Sequence, residues 1–256
     1  MTVLNTQSAT FEYVVRLADN CLVLGHRLSE WCGKGPILEE DIALINISLD
    51  LVGRARSLYA YAATLNDKYT TEDHLAYRRD VKEFRNSLLL EQPNGDYAQT
   101  ILRSYLYDVF SMLQLQQLIK SKDQTIAGIS EKSIKEVTYH LEHSRQWLYR
   151  LGDGTEESHQ RMELALKNLW RFSGNLFEKN EVDDVLMKEG IAFDIAQLKP
   201  EWLAIVEKDF ALANLKVPEN MFSQTGNLQG VHTEHLGYLL AEMQFLQRAY
   251  PDAVWD

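Results

Sequence analysis

The sequence predicts an all-α protein, a four-helix bundle with additional peripheral helices, and three observations carry that expectation. The five prolines, at positions 36, 93, 200, 218 and 251, leave long intervals free of breakers, so turns hold them. Apolar residues recur with a helical period over several long stretches. No segment shows the two-residue alternation of a strand, and no internal repeat or low-complexity tract is present.

The first core helix is expected over about 11–33, with Val14, Leu17, Ala18, Cys21, Leu24, Gly25 and Leu28 on one face. Gly33-Lys34-Gly35-Pro36 ends it. A second follows over about 39–65, where Ile42, Ile45, Leu49, Val52, Tyr59 and Ala63 form the stripe read as buried. Thr71–Leu90 reads as helical with a break near its start. Gln92-Pro93-Asn94-Gly95 is a turn, because proline fixes φ and Asn-Gly admits positive φ. The third core helix, about 96–120, carries Tyr97, Ile101, Tyr105, Asp108, Met112, Leu115 and Ile119. The fourth, about 124–151, stops at Gly152-Asp153-Gly154.

Helices of this length reach about 30 Å or more, the proportions of an antiparallel bundle. The remainder, 156–250, is read as peripheral: helices at 156–178, 181–188, 199–213 and Thr233–Tyr250, with a long loop over 214–231. All 256 residues are taken as one domain.

The 37 acidic residues outnumber 26 Lys and Arg, for a net charge of −11. Binding to duplex nucleic acid or an anionic membrane needs a cationic face, so neither is expected as a partner. Cys21 and Cys32 are the two cysteines; on one unbroken helix they stand about 16 Å apart, too far for a disulfide. Met1–Thr10 lacks the charged and apolar regions of a signal peptide, and no apolar run is long enough for a membrane span. The expected compartment is the cytoplasm.

Acids on the apolar stripes are the chemically informative feature. Asp50 follows Leu49; Asp108 lies among Tyr105, Met112 and Leu115; Glu136 and His140 lie among Ile129, Val137, Leu141 and Ser144. A buried carboxylate needs a cation, a hydrogen-bond shell or a metal. A ferritin-like di-metal bundle uses one Glu from each of two helices and Glu-x-x-His from each of the other two.

Here Gly53 stands three residues after Asp50, and Tyr139 stands three after Glu136, with His140 one place late. The first helix offers Asp19 and Asn20 at its centre and no central Glu. Asp50, Gly53, Asp108, Glu136, Tyr139 and His140 are therefore read as degenerate metal-site positions, with no metal and no catalytic residue expected. A polar core network takes the metal's place, with Arg54, Arg103 or Lys132 as candidates for the replacing charge.

His232-Thr233-Glu234-His235 is a second cluster, read chiefly as capping or interface contacts, with metal binding the lesser alternative. His143 has helical spacing to Glu136 and His140 and carries little weight. No dinucleotide fingerprint, Walker loop or Gly-x-Ser-x-Gly is present.

Several segments carry a family likeness: Asn46-Ile-Ser-Leu-Asp-Leu-Val-Gly-Arg-Ala-Arg56, Leu89-Leu-Glu-Gln-Pro-Asn-Gly95, Ile134-Lys-Glu-Val-Thr-Tyr-His140, Leu169-Trp-Arg-Phe172, Val231-His-Thr-Glu-His-Leu-Gly237 and Leu240-Ala-Glu-Met-Gln244. Together with Asp19-Asn-Cys-Leu-Val-Leu24 they resemble the family of C subunits of bacterial phenylacetyl-CoA epoxidases over nearly the whole chain. The resemblance implies a ferritin-like fold and a structural, non-catalytic role. It also implies a catalytic ferritin-like partner, the A subunit, that holds the di-iron centre, with further small subunits and a reductase in the same complex. Two other functions stay open on the residues alone. One is a self-sufficient di-iron oxygenase or oxidase using Asp50, Asp108, Glu136 and His140; the other is a regulatory bundle that binds CoA thioesters.

Overall fold

The computed structural model describes residues 5–219, 222–251 and 253. The start of the polar N-terminal segment, residues 1–4, lies outside the described residues. Among those described, every regular element is a helix. α1 (Thr6–Ser29) begins where the Asn5 side chain accepts from the backbone N–H of Ser8 at 2.8 Å. α2 (Leu38–Ala63) follows a tight turn in which Gly33 takes φ +75°. The two helices pack closely at Gly25: Ser48 Oγ donates to the Gly25 carbonyl at 2.7 Å. A Cβ at Gly25 would come 3.0 Å from Val52 Cγ2, so only glycine allows this approach without repacking.

α5 (Tyr97–Leu118) and α6 (Gln124–Gly152) form the second antiparallel pair, capped by Asp96 and Asp123 respectively. α5 is buried on every side from Thr100 to Ser111, which marks it as the central helix. α2 lies against α6 and closes the bundle. Outside it, α7 (Glu156–Ser173) and α9 (Leu198–Leu212) cover α5, and α8 (Glu181–Glu189) covers α1. The buried Arg16–Asp183 pair, at 3.0 Å, ties α8 to α1. One hydrophobic cluster runs from Ala9 to Leu240.

Three stretches differ from the sequence expectation. The helix expected over 71–90 is two short helices, α3 (Glu72–Tyr77) and α4 (Leu88–Glu91), with a single 3-10 turn at Val81–Glu83 between them. Side chains from far away satisfy the backbone in place of helical partners: Asp19 Oδ2 accepts from the N–H of Arg85 at 2.7 Å. Asn20 Oδ1 accepts from that of Ser87 at 2.7 Å, and Asn175 Oδ1 from that of Leu88 at 2.8 Å. Asp19 also pairs with Arg79 and accepts from the Tyr59 hydroxyl at 2.5 Å. Asp19 and Asn20 thus fasten this irregular segment to α1.

The last helix is interrupted at Gln244, giving α10 (Glu234–Met243) and α11 (Phe245–Ala249). The Gln244 amide donates to the carbonyls of Ala76 and Arg79, each at 3.0 Å, and anchors the break to the end of α3.

The third difference is the face of α2. Its buried residues are Ala43, Leu44, Ile47, Ser48, Leu51, Arg54, Ala55, Leu58, Tyr59 and Ala62. Of the stripe read as buried, only Tyr59 is so; Ile42, Leu49 and Val52 face outward. α2 is apolar on two faces, and periodicity alone does not rank them.

The loop over 214–231 is fastened rather than free where it is described. Gln224 N–H donates to the Arg171 carbonyl at 2.8 Å, and Asn227 is bonded to both Asn175 and Arg85. No helix among the described residues is long and apolar enough to cross a membrane.

Candidate functional site

The polar groups of the core meet near the middle of the bundle, contributed by all four core helices. On α6, Glu136, His140 and Ser144 repeat every four residues and so share one face. Opposite them stand Asp50 and Arg54 on α2, and Asp108 and Ser111 on α5. Ser144 Oγ donates to Asp108 Oδ2 at 2.7 Å. His140 Nε2 lies 3.0 Å from Asp50 Oδ2. Arg54 reaches in from α2: Nη1 donates to Ser111 Oγ at 3.4 Å, and Nη2 is 3.9 Å from Glu136 Oε2. Arg54, Asp108 and His140 are buried, while Asp50 and Glu136 lie nearer the surface.

Burial sets the protonation of these groups. It pushes the Asp108 carboxyl up to about 7, against the opposing effects of the Ser144 hydroxyl and the Arg54 charge. It raises Glu136, again opposed by Arg54. It lowers His140 to about 4, despite the Asp50 carboxylate. From α1, the Cys21 thiol is raised by burial beside Arg54 and Tyr107. The result is a column in which Asp108, Glu136, His140 and Cys21 are shifted toward their neutral forms around one guanidinium.

The candidates from sequence fall into two sets. Asp50, Asp108, Glu136 and His140 do line this column. Gly53 and Tyr139 face away from it: a Cβ at Gly53 would meet nothing within 4 Å, and Tyr139 is 52% exposed with its ring beside His140 and His143. Of the three candidate cations, Arg54 is at the column. Lys132 is exposed near Glu136. Arg103 is elsewhere, donating to the Gln92 carbonyl at 2.6 Å and to Asn94 Oδ1 at 2.5 Å within the Pro93 turn.

Sequence reasoning missed Ser111 and Tyr107, which carry no signal beyond lying on a buried face. Cys21 was visible as an apolar-stripe residue but not as a neighbour of Arg54. His143 lies on Glu40 at 2.7 Å, and Tyr97 donates to the same carboxylate oxygen, joining α6, α2 and α5.

The residues present do not fit a di-iron centre of the kind the fold suggests. Arg54 already brings a positive charge among the carboxylates, and ions placed beside it would be repelled. Among the described residues, no three His, Cys, Asp or Glu side chains gather as a metal site.

The second cluster belongs to a different place. Glu91, fully buried, accepts from Asn86 Nδ2 at 2.9 Å, the Thr233 N–H at 2.6 Å and the Thr233 hydroxyl at 2.8 Å. His232 Nδ1 lies 2.8 Å from Glu91 Oε2, and its Nε2 lies 2.9 Å from the Phe84 carbonyl. Thr233 stands at the N-cap of α10, but its hydroxyl is spent on Glu91 rather than on the helix. His235 contributes its carbonyl, which accepts from Arg27. The cluster clasps the C-terminal helices to α4.

Fold and site together define a ferritin-like helical bundle whose central polar column is built around an arginine. Residues 2–255 match the model of the phenylacetic acid catabolic protein family, and the chain belongs to that family. It is also 50% identical over 243 residues to the C subunit of 1,2-phenylacetyl-CoA epoxidase from Escherichia coli (strain K12), a match covering 95% of this chain and 98% of that protein.

Proposed function

We propose that this chain is a structural, non-catalytic subunit of a multi-subunit phenylacetyl-CoA epoxidase acting in phenylacetate catabolism. In this reading it pairs with a catalytic ferritin-like subunit, which carries the di-iron centre, while smaller subunits and a reductase complete the assembly. The likeness to the C subunit of an epoxidase supports the setting. Arg54 is the single observation that carries the non-catalytic role. An enzyme of this fold needs open metal positions at mid-bundle, and here the buried Arg54 guanidinium stands 3.9 Å from Glu136 and against Ser111, near an Asp108 carboxyl and a His140 imidazole that burial shifts toward their neutral forms.

A rigid bundle can still serve catalysis, because ligands on a neighbouring chain must be held to about 0.5 Å. The test is capture from cells grown on phenylacetate with this chain tagged. Recovery of an iron-bearing helical subunit in a stoichiometric complex is expected; recovery of the chain alone contradicts the proposal.

A further inference from the structure

A cavity of about 30 Å³ lies where α1 and α5 meet the 3-10 turn Gly174–Phe177 and the loop at Asn227. That is room for about two water molecules. Gln114 on α5 is 5% exposed and Tyr13 on α1 is 3% exposed; both line the cavity, and neither side chain has a hydrogen-bond partner among the described residues. Asn20, also buried on its wall, spends Oδ1 on the Ser87 N–H and leaves Nδ2 without a partner there. Arg16 Nη2 on the α1 side is likewise unpaired among the described residues. Buried polar groups are normally bonded, so four open ones around a single cavity point to a ligand that the protein atoms do not supply.

The open groups are mostly donors. The amide oxygens of Asn20, Asn175 and Asn227 are taken by the N–H groups of Ser87, Leu88 and the Asn175 side chain. Burial raises the Tyr13 pKa, so its hydroxyl keeps a proton to give. The charges on the wall are Arg16, paired with Asp183 at 3.0 Å through its other terminal nitrogen, and Arg85, with Glu12 at 3.9 Å. Glu178 is the one carboxylate lining the cavity; it accepts from Asn175 at 3.1 Å, and burial raises its pKa. A cation would meet N–H and O–H groups. Water brings hydrogens as well as lone pairs, and the Gln114 and Tyr13 oxygens are the open acceptors for them. A ligand that only accepts suits every open group. We propose that this cavity binds one small monovalent anion, of halide or nitrate size, which ties α1 to α5.

The test uses the full chain in two measurements. Crystals grown in sodium bromide are expected to show an anomalous bromide peak between Gln114, Tyr13 and Asn20. In solution, chloride and nitrate are titrated against gluconate, which is too large for the cavity, at constant ionic strength. The thermal midpoint is expected to rise saturably by roughly 5 °C, and Gln114→Leu and Tyr13→Phe should each remove most of that rise. No bromide peak in the cavity overturns the proposal and leaves water as its occupant. A rise that survives in both variants overturns it too, because the ions then act at the general surface. Should both variants fail to fold, the bromide peak in the wild-type chain decides by itself.

Discussion

Arg54 Nη2 lies 3.9 Å from Glu136 Oε2 across the α2–α6 interface, and its other terminal nitrogen reaches Ser111 on α5. One side chain thereby brings a positive charge to three core helices at the depth where a bundle of this type would hold metal. Among the described residues its Nε and Nη2 have no hydrogen-bond partner, so attraction to nearby acids rather than a full bonding shell holds it there. Removing the charge should cost more than its hydrogen bonds suggest. Arg54→Met is expected to destabilise the chain by about 3 kcal/mol in urea unfolding, because Asp108 and Glu136 lose their cation. The same change in an Asp108→Asn background should cost clearly less. Equal costs in both backgrounds would mean that Arg54 does not offset the Asp108 charge.

Asp108 gives the pH dependence its sign. Its carboxyl is raised from 3.8 to about 7, so the fold holds that proton more tightly than the unfolded chain does. Its stabilising contribution is complete below about pH 4 and is lost as the pH rises through about 7. His140 works in the opposite sense: lowered from 6.5 to about 4, it contributes above 6.5 and loses that contribution as the pH falls through about 4. Asp108→Asn should therefore remove part of the decline between pH 5 and 8, gaining a few kcal/mol at pH 8 relative to wild type. Unfolding curves across that range check it; an unchanged slope would refute the assignment to Asp108.

The Glu91 clasp predicts a local rather than global effect. Glu91→Gln puts an N–H where the carboxylate now only accepts, facing donors from Thr233, Asn86 and His232. Amides of α10 should exchange at least about 10-fold faster, while those of α5 change little. Uniform acceleration would instead mean that the clasp supports the whole bundle.

α5 and α6 are legible in the sequence because caps and strong breakers bound them, whereas α1, expected over 11–33, runs from Thr6 to Ser29, its start set by the Asn5 cap. α2 misleads because two of its faces are apolar: Ile42, Leu49 and Val52 fit a helical period as well as Ile47, Leu51 and Leu58 do. The irregular stretch around Arg79–Ser87 is not legible, since its structure depends on Asp19, Asn20 and Asn175, remote in sequence. At the candidate site, the acids announce themselves by lying on apolar stripes. The identity of their cation does not, because Arg54 and Arg103 both sit on buried helix faces. Only their different depths and neighbours separate a core charge from a turn anchor.

The most direct test of the central claim is the iron content of this chain purified alone from iron-replete cells, measured beside the intact complex. Essentially no iron is expected on the isolated chain, and iron in the complex is expected on another subunit. About two irons per isolated chain, the complement of a working bundle of this type, would contradict it.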